Sequence, residues 1–331
     1  MPTDQTIPVT TLTPPALRAF LASIIDYAGL FPPAGLPLDE AIDNFARYRT
    51  GPDAWMLARF VIPAKRLSEL DGHAALFDTQ PPFHFSALGT GAADADAFLP
   101  AFAKDLEAIA AFHARHPQQV KVDVMEMRLP PDLFQADAPS LHQFFADLDC
   151  RAAETLPALD LFFEVSIDDK LRQIAPALLS AMATHNASQE TQIGFKMRTG
   201  GLEPAAFPQA AHLAYALVAC HDAGVHFKAT AGLHHPVRQY HKSVQTHMYG
   251  FFNLFGAAML TATHDLDAPT VERILLDEDA DHFRFDATGF TWQDLTTSYD
   301  DITRLRDTFA ISIGSCSFDE PREDLQALGL F

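Results

Sequence analysis

Cysteine, basic charge and long apolar runs are all scarce in this sequence, and each scarcity removes a class of function. There are three cysteines, Cys150, Cys220 and Cys316, far apart and without a CxxC pair. That argues against a disulfide framework and for a reducing compartment, so the cytoplasm is the expected location. The opening MPTDQTIPVT has neither a basic start nor an apolar core, so no secretory signal is expected. No apolar run is long enough to predict a membrane span. Lysine and arginine total 23 against 43 aspartates and glutamates, a net charge of −20. Nucleic-acid binding needs clustered positive charge, which this balance opposes. A small anion is still admissible, because a few lysines, arginines and helix N-termini can build a local positive site. HExxH is absent, no GxGxxG turn follows the first predicted strand, and there is no low-complexity tract.

What is present is 331 residues with 48% hydrophobic content, enough for a substantial core. Short Val-, Phe- and Ile-rich runs alternate with segments of helical periodicity. The predicted strands are SIIDY, WMLARFVIPA, PFHFSALG, VKVDVMEMRLP, LDLFFEVSI, IGFKMR, VHFKAT and AISIGSCSF. Helices are expected between them, including KRLSELDGHAALF, DADAFLPAFAKDLEAIAAFHARH and SVQTHMYGFFNLFGAAMLTA. Eight alternations predict a parallel sheet with helices outside, closing into a (β/α)8 TIM barrel as one domain over residues 1–331. An open doubly wound sheet is the alternative. Residues 1–15 form a Thr/Pro-rich lead-in. Residues 265–306 form an insertion before the eighth strand, with a hairpin turning at Asp286 to Gly289.

The chemistry centres on two of these strands. Lys196 in FKMRTGG and Lys228 in FKATAG lie 32 positions apart, the length of one strand–helix–strand unit. Parallel neighbours place equivalent residues side by side, so two amines should face one site. A lysine buried beside a second cation loses proton affinity and can attack a carbonyl to form a Schiff base. Function in such a barrel gathers at the C-terminal strand ends. Those ends carry Asp26, Arg59, Asp123 or Glu126, Glu164, Arg198 and Thr230. Asp123 and Glu126 differ by an odd number, so a regular strand cannot point both inward. Each rim carboxylate also has a structural reading, as the partner of a nearby cation. Glycine-bearing turns follow three strands: Thr199-Gly200-Gly201, Ala231-Gly232 and Gly314-Ser315-Cys316-Ser317. Their backbone N–H groups can hold phosphate or carboxylate, although glycines also simply permit tight turns.

The segment HHPVRQYHKSVQTH holds His234, His235, His241 and His247. Such density suggests a metal site that carboxylates from other strands could complete, but the spacing fits no zincin motif and no metal ligand is assigned. Substrate contact or acid–base work by His234 or His235 is expected instead.

Several of these pieces together resemble class I aldolases of the deoxyribose-phosphate aldolase type. IDYAGLFPPAG is similar to that family's first strand and turn, and ARFVIPAKRLSEL to its second strand and following segment. VDV at Val122 to Val124 resembles the strand bearing the catalytic aspartate, and FFEVS a strand ending in glutamate. FKMRTGG resembles the strand whose lysine forms the Schiff base, and FKATAG the strand with the second lysine. IGSCSFDEPREDLQALG is similar to the final strand and helix. The chain departs from the pattern at Arg198, at Ala231-Gly232-Leu233, at the His234-His235 pair and in the length before the eighth strand. The resemblance implies that Lys196 forms the Schiff base, that Lys228 lowers its pKa and that Asp123 relays protons, with Glu126 and Glu164 as alternatives. Arg198, Thr199, Gly200, Gly232, Gly314, Ser315 and Ser317 would contact a small, anionic carbonyl substrate, as would Asp26, Arg59, His234 and His235.

The expected function is therefore an aldolase-like lyase needing no cofactor. Two alternatives stand beside it. One is a metal-dependent barrel lyase, hydrolase or isomerase using His234 and His235 with Glu126 or Glu164. The other is a non-catalytic binding barrel. The acidic surface is as compatible with a homo-oligomer as with a monomer.

Overall fold

A computed structural model describes residues 13–156 and 159–331. Each apolar run becomes a strand: β1 (Ile25–Tyr27), β2 (Leu57–Pro63), β3 (Phe83–Leu88), β4 (Val120–Arg128), β5 (Asp160–Glu164), β6 (Ile193–Arg198), β7 (Phe227–Thr230) and β8 (Ala310–Ser315). They pair in chain order, every pair is parallel, and β8 closes on β1. The protein is a (β/α)8 barrel. Most of the predicted lead-in, residues 1–12, lies outside the described residues. Among the described residues, no helix is long and apolar enough to cross a membrane.

The helices form where caps and periodicity say they should. Ala95–Arg115 opens with the Asp94 carboxylate accepting from the Ala97 N–H, and Ala210–Ala223 ends at Gly224 with φ +66°. Two segments differ from expectation. Residues 65–77, expected to be a helix of the ordinary kind, lie in the 3₁₀ run Ala64–Phe77. Its buried side chains Ala64, Leu67 and Leu70 recur every third residue, which suits three residues per turn. The helix expected over residues 243–262 starts only at Phe251. The residues ahead of it form a hairpin, Gln239–His241 with Thr246–Met248. Gly250 then lets the chain pass the Pro236 carbonyl, where a Cβ would lie 2.3 Å from the oxygen.

The long β7–β8 connection contains helices Phe251–His264, Ala268–Leu276 and Tyr299–Thr308. It also holds a three-stranded antiparallel sheet, Phe283–Phe285, Gly289–Trp292 and Leu295–Ser298. The predicted hairpin is its first two strands, with the Asp286 carboxylate accepting from the N–H groups of Thr288 and Gly289. The third strand was not foreseen. Phe20, from the first helix (Pro15–Leu21), packs against Phe252, Phe255, Phe285 and Phe290 at centroid distances of 5.1 to 6.4 Å. The connection starts beside the C-terminal strand ends and its last helix, Tyr299–Thr308, reaches the N-terminal end of the barrel. Tyr299, Thr303 and Arg306 border an open cleft there, together with Gln192, His226 and Ile311 at or just before the strand starts. Arg306 is buried and donates to the carbonyls of Ile311 at 2.6 Å and Ala22 at 2.9 Å.

Candidate active site

Register brings the two lysines together. Glu164, Lys196 and Lys228 are Cα partners across β5, β6 and β7, so their side chains enter the barrel at one level. Lys228 Nζ lies 2.7 Å from Asp26 Oδ2 and 2.6 Å from Glu126 Oε1. Lys196 Nζ lies 3.0 Å from Glu126 Oε2 and 3.0 Å from Glu164 Oε2. Anions and cations therefore alternate: Asp26, Lys228, Glu126, Lys196, Glu164. Ser312 donates to Asp26 and Ser86 to Glu126, each at 2.6 Å. At the outer end Glu164 Oε1 is approached by Arg128 at 3.6 Å and Arg198 at 3.8 Å.

Beneath the ladder the barrel is packed with rings. Phe162 stands edge-on to His226 at 5.1 Å, and its centroid is 5.4 Å from Lys228 Nζ. Gly194 admits them, since a Cβ there would sit 2.4 Å from the Phe162 ring. Burial pushes the His226 imidazole down to about 4.

Lys196 is not held below the ordinary lysine value, contrary to what the resemblance implied. Burial works against the Lys196 charge, but the Glu126 and Glu164 carboxylates outweigh it and hold the ammonium above the ordinary lysine value. Glu126 is likewise disfavoured by burial, yet Lys228 and Lys196 hold it well below the usual carboxylate range.

A cavity of 260 Å³ opens above the ladder at the C-terminal strand ends. Glu126, Lys196, Arg198, Gly232, His234 and Cys316 border it, as does Gly314. Among the described residues, Lys196 is the lysine that reaches this cavity; Lys228 is only 1% exposed and lies deeper. A cleft of 970 Å³ at the opposite end is larger, but it lies at the face where this fold keeps stability rather than chemistry.

Several expected site residues lie elsewhere. Asp123 is not beside the lysines. The β3–β4 register slips between Phe85 and Ser86, which pair with Val122 and Val124 and leave Asp123 unmatched. Its carboxylate accepts from Arg59 Nε at 2.6 Å and meets His84 Nδ1 at 3.0 Å, towards the N-terminal end. Arg59 is drawn to that end too, with its side chain 3.7 Å from Asp26, and borders the lower cleft. Burial opposes both charges, but Asp26 and then Asp123 hold the Arg59 guanidinium ionised, and His84 together with Arg59 holds Asp123 well below the usual carboxylate range. Asp26 is fully buried and serves Lys228 and Arg59 rather than substrate.

Thr199 is also fully buried, and its hydroxyl donates to Ala231 O at 2.5 Å. Ser315 donates to the Ser317 carbonyl, and the Ser317 hydroxyl accepts from the Glu320 N–H at 3.0 Å. These hydroxyls stabilise turns and do not border the cavity. Gly200 and Gly232 let two loops touch: a Cβ on Gly200 would lie 3.0 Å from the Gly232 Cα, and Gly232 has φ +74°. Gly232 reaches the cavity, and Gly201 does so instead of Gly200. His234 reaches it, whereas His235 turns to Asp324.

Sequence reasoning missed Ser86, Ser312, Cys316 and Glu320. Cys316 Sγ lies 3.9 Å from both ring nitrogens of His234, whose Nδ1 is 2.8 Å from Glu320 Oε2. Burial disfavours the His234 cation, but contacts with Cys316 and Glu320 push it up to about 9. The metal set foreseen as an alternative is not assembled. Glu126 and Glu164 are committed to lysines, and among the described residues the group close enough to share an ion is His235, His241 and Glu320 instead.

Among the solved structures that resemble this chain are two described as aldolases. One is an aldolase designated QR15, at 9% identity and TM-score 0.40, covering 65% of this chain and 83% of that one. The other is a Toxoplasma gondii ME49 protein provisionally described as a deoxyribose-phosphate aldolase, also at 9% and 0.40, covering 67% and 80%. No family model matches the sequence, and no curated protein does. The barrel itself rests on the strand pairing above.

Proposed function

We propose that this barrel is an aldolase-like lyase in which Lys196 forms a Schiff base with a small carbonyl compound carrying an anionic group. One observation carries the proposal: Lys196 is the lysine bordering the 260 Å³ cavity, held between two carboxylates at 3.0 Å each. A resting ammonium is no nucleophile, so the first step is its deprotonation. Glu164, which has Lys196 as its one lysine partner among the described residues, accepts that proton. The neutral amine adds to the substrate carbonyl, and the hydroxyl of the resulting carbinolamine leaves as water when Glu164 returns the proton to it. The resulting iminium withdraws electrons from the adjacent carbon–carbon bond. Glu126 removes the proton of the substrate hydroxyl; the bond breaks, its pair enters the iminium and an aldehyde leaves. Glu126 then protonates the enamine carbon, and water hydrolyses the iminium. Arg198, 43% exposed at the rim, would hold the anionic group.

The test is borohydride trapping with a panel of small aldehydes and keto acids, read by the mass of the Lys196 peptide. A reduced adduct on Lys196 supports the reading, and none across the panel overturns it. A second reading draws on the raised Lys196 pKa: an ion-pair ladder that binds a polar ligand without covalent chemistry. Ligand binding that survives Lys196→Arg, with no trapping in the parent protein, would select that reading.

A further inference from the structure

The lysine chemistry makes no use of the histidine-rich segment after β7, yet part of it converges on the C-terminal helix. His235, His241 and Glu320 each offer one ligand atom, all within 4.8 Å of one another. His235 follows β7, His241 ends a hairpin strand, and Glu320 lies in the first turn of helix Asp319–Ala327. His235 is only 6% exposed, and its Nδ1 meets Asp324 Oδ2 at 2.5 Å. Its Nε2 is buried with no hydrogen-bond partner. Buried polar atoms rarely stay unpaired, so this one calls for a partner. His241 has Nδ1 engaged by the Ser243 hydroxyl at 2.7 Å, which leaves Nε2. The two rings lie 5.4 Å apart at an interplanar angle of 28°. Glu320 commits one oxygen to His234, which leaves the other.

We propose that His235 Nε2, His241 Nε2 and Glu320 bind a divalent transition-metal ion of the zinc class. Two imidazoles and one carboxylate are a donor set that zinc accepts, and three protein ligands leave a fourth position open. Each ligand is oriented by a further partner: His235 by Asp324, His241 by Ser243 and Glu320 by His234. Such outer partners fix ring orientation and raise ligand basicity. The ion would join the start of the β7–β8 connection to the C-terminal helix, next to His234 and Cys316 at the cavity. Its existence does not depend on Lys196 chemistry.

The protein is purified without chelator for elemental analysis, then stripped with EDTA and titrated calorimetrically with Zn²⁺. One zinc per chain is expected, with a rise in melting temperature on reloading. Asp324→Asn should weaken binding about 10- to 100-fold. His241→Ala, at a partly exposed position, should remove stoichiometric binding while circular dichroism stays unchanged. Substoichiometric metal in the parent protein, or equal affinity in His241→Ala, overturns the proposal. Borohydride trapping on the stripped protein reports Lys196 separately, so either idea can fail alone.

Discussion

The two ends of this barrel hold ionic clusters that share one residue and differ in purpose. At the N-terminal end Arg59 bridges Asp26 and Asp123, with His84 beside Asp123. At the C-terminal end Lys196 bridges Glu126 and Glu164 under an open cavity. Asp26 joins the ends through Lys228. The lower cluster uses a guanidinium, whose charge is not removed in proteins, and the insertion packs around that end. The upper cluster uses an amine with proton acceptors on both sides and space above it. Both clusters are satisfied ion networks. Among the described residues, the upper one sets a lysine amine at the wall of the cavity at the C-terminal strand ends.

The largest effect separating the ends is covalent. Lys196→Met should abolish borohydride trapping, whereas Asp123→Asn should leave it within about twofold, since that carboxylate makes no contact with the ladder. Intact-protein mass spectrometry reads both. The next effect is on stability. Glu126→Gln leaves two buried ammonium groups sharing one fewer anion, which costs about 3–5 kcal/mol, visible as a lower urea midpoint. Asp123→Asn should cost less, about 1–3 kcal/mol, because Arg59 keeps Asp26.

A pH series sharpens the contrast further. Lys196 is held above its ordinary value, so its stabilising contribution is complete below the unfolded lysine pKa and fades as pH rises through the higher folded value. Trapping should run the other way, speeding up by about tenfold per pH unit while the amine is mostly protonated. Glu126 is held low, so its contribution is present above the unfolded carboxylate pKa and is lost as pH falls through the folded value. Lys196→Met should flatten the alkaline limb of the urea-midpoint curve and change the acid limb less, because Glu126 loses Lys196 but keeps Lys228. The smallest effect is expected at the rim: Arg198→Ala should raise KM for an anionic substrate about tenfold while the protein keeps its stability.

The lysine pair was legible because its signal is local. Each lysine ends an apolar run, and one helix-length spacing puts the runs on adjacent parallel strands. The choice between Asp123 and Glu126 was not legible, because a register slip against β3 decides it and strand alternation assumes regularity. The direction of the Lys196 shift was equally hidden. It depends on Glu126 and Glu164 arriving from two other strands. Ser86 and Ser312 carried no sequence signal, since a serine in an apolar strand does not announce its partner.

Local pattern thus determined the alternation of elements, the closed barrel and the strands that bear the amines. Those follow from periodicity, turn residues and short-range backbone sterics, which each segment carries in itself. Tertiary structure alone decided which carboxylates meet which cations, and that His235 and His241 meet Glu320. Charge interactions fall off over a few ångströms, so they are set by the final approach of side chains from distant strands and not by the order of residues along the chain.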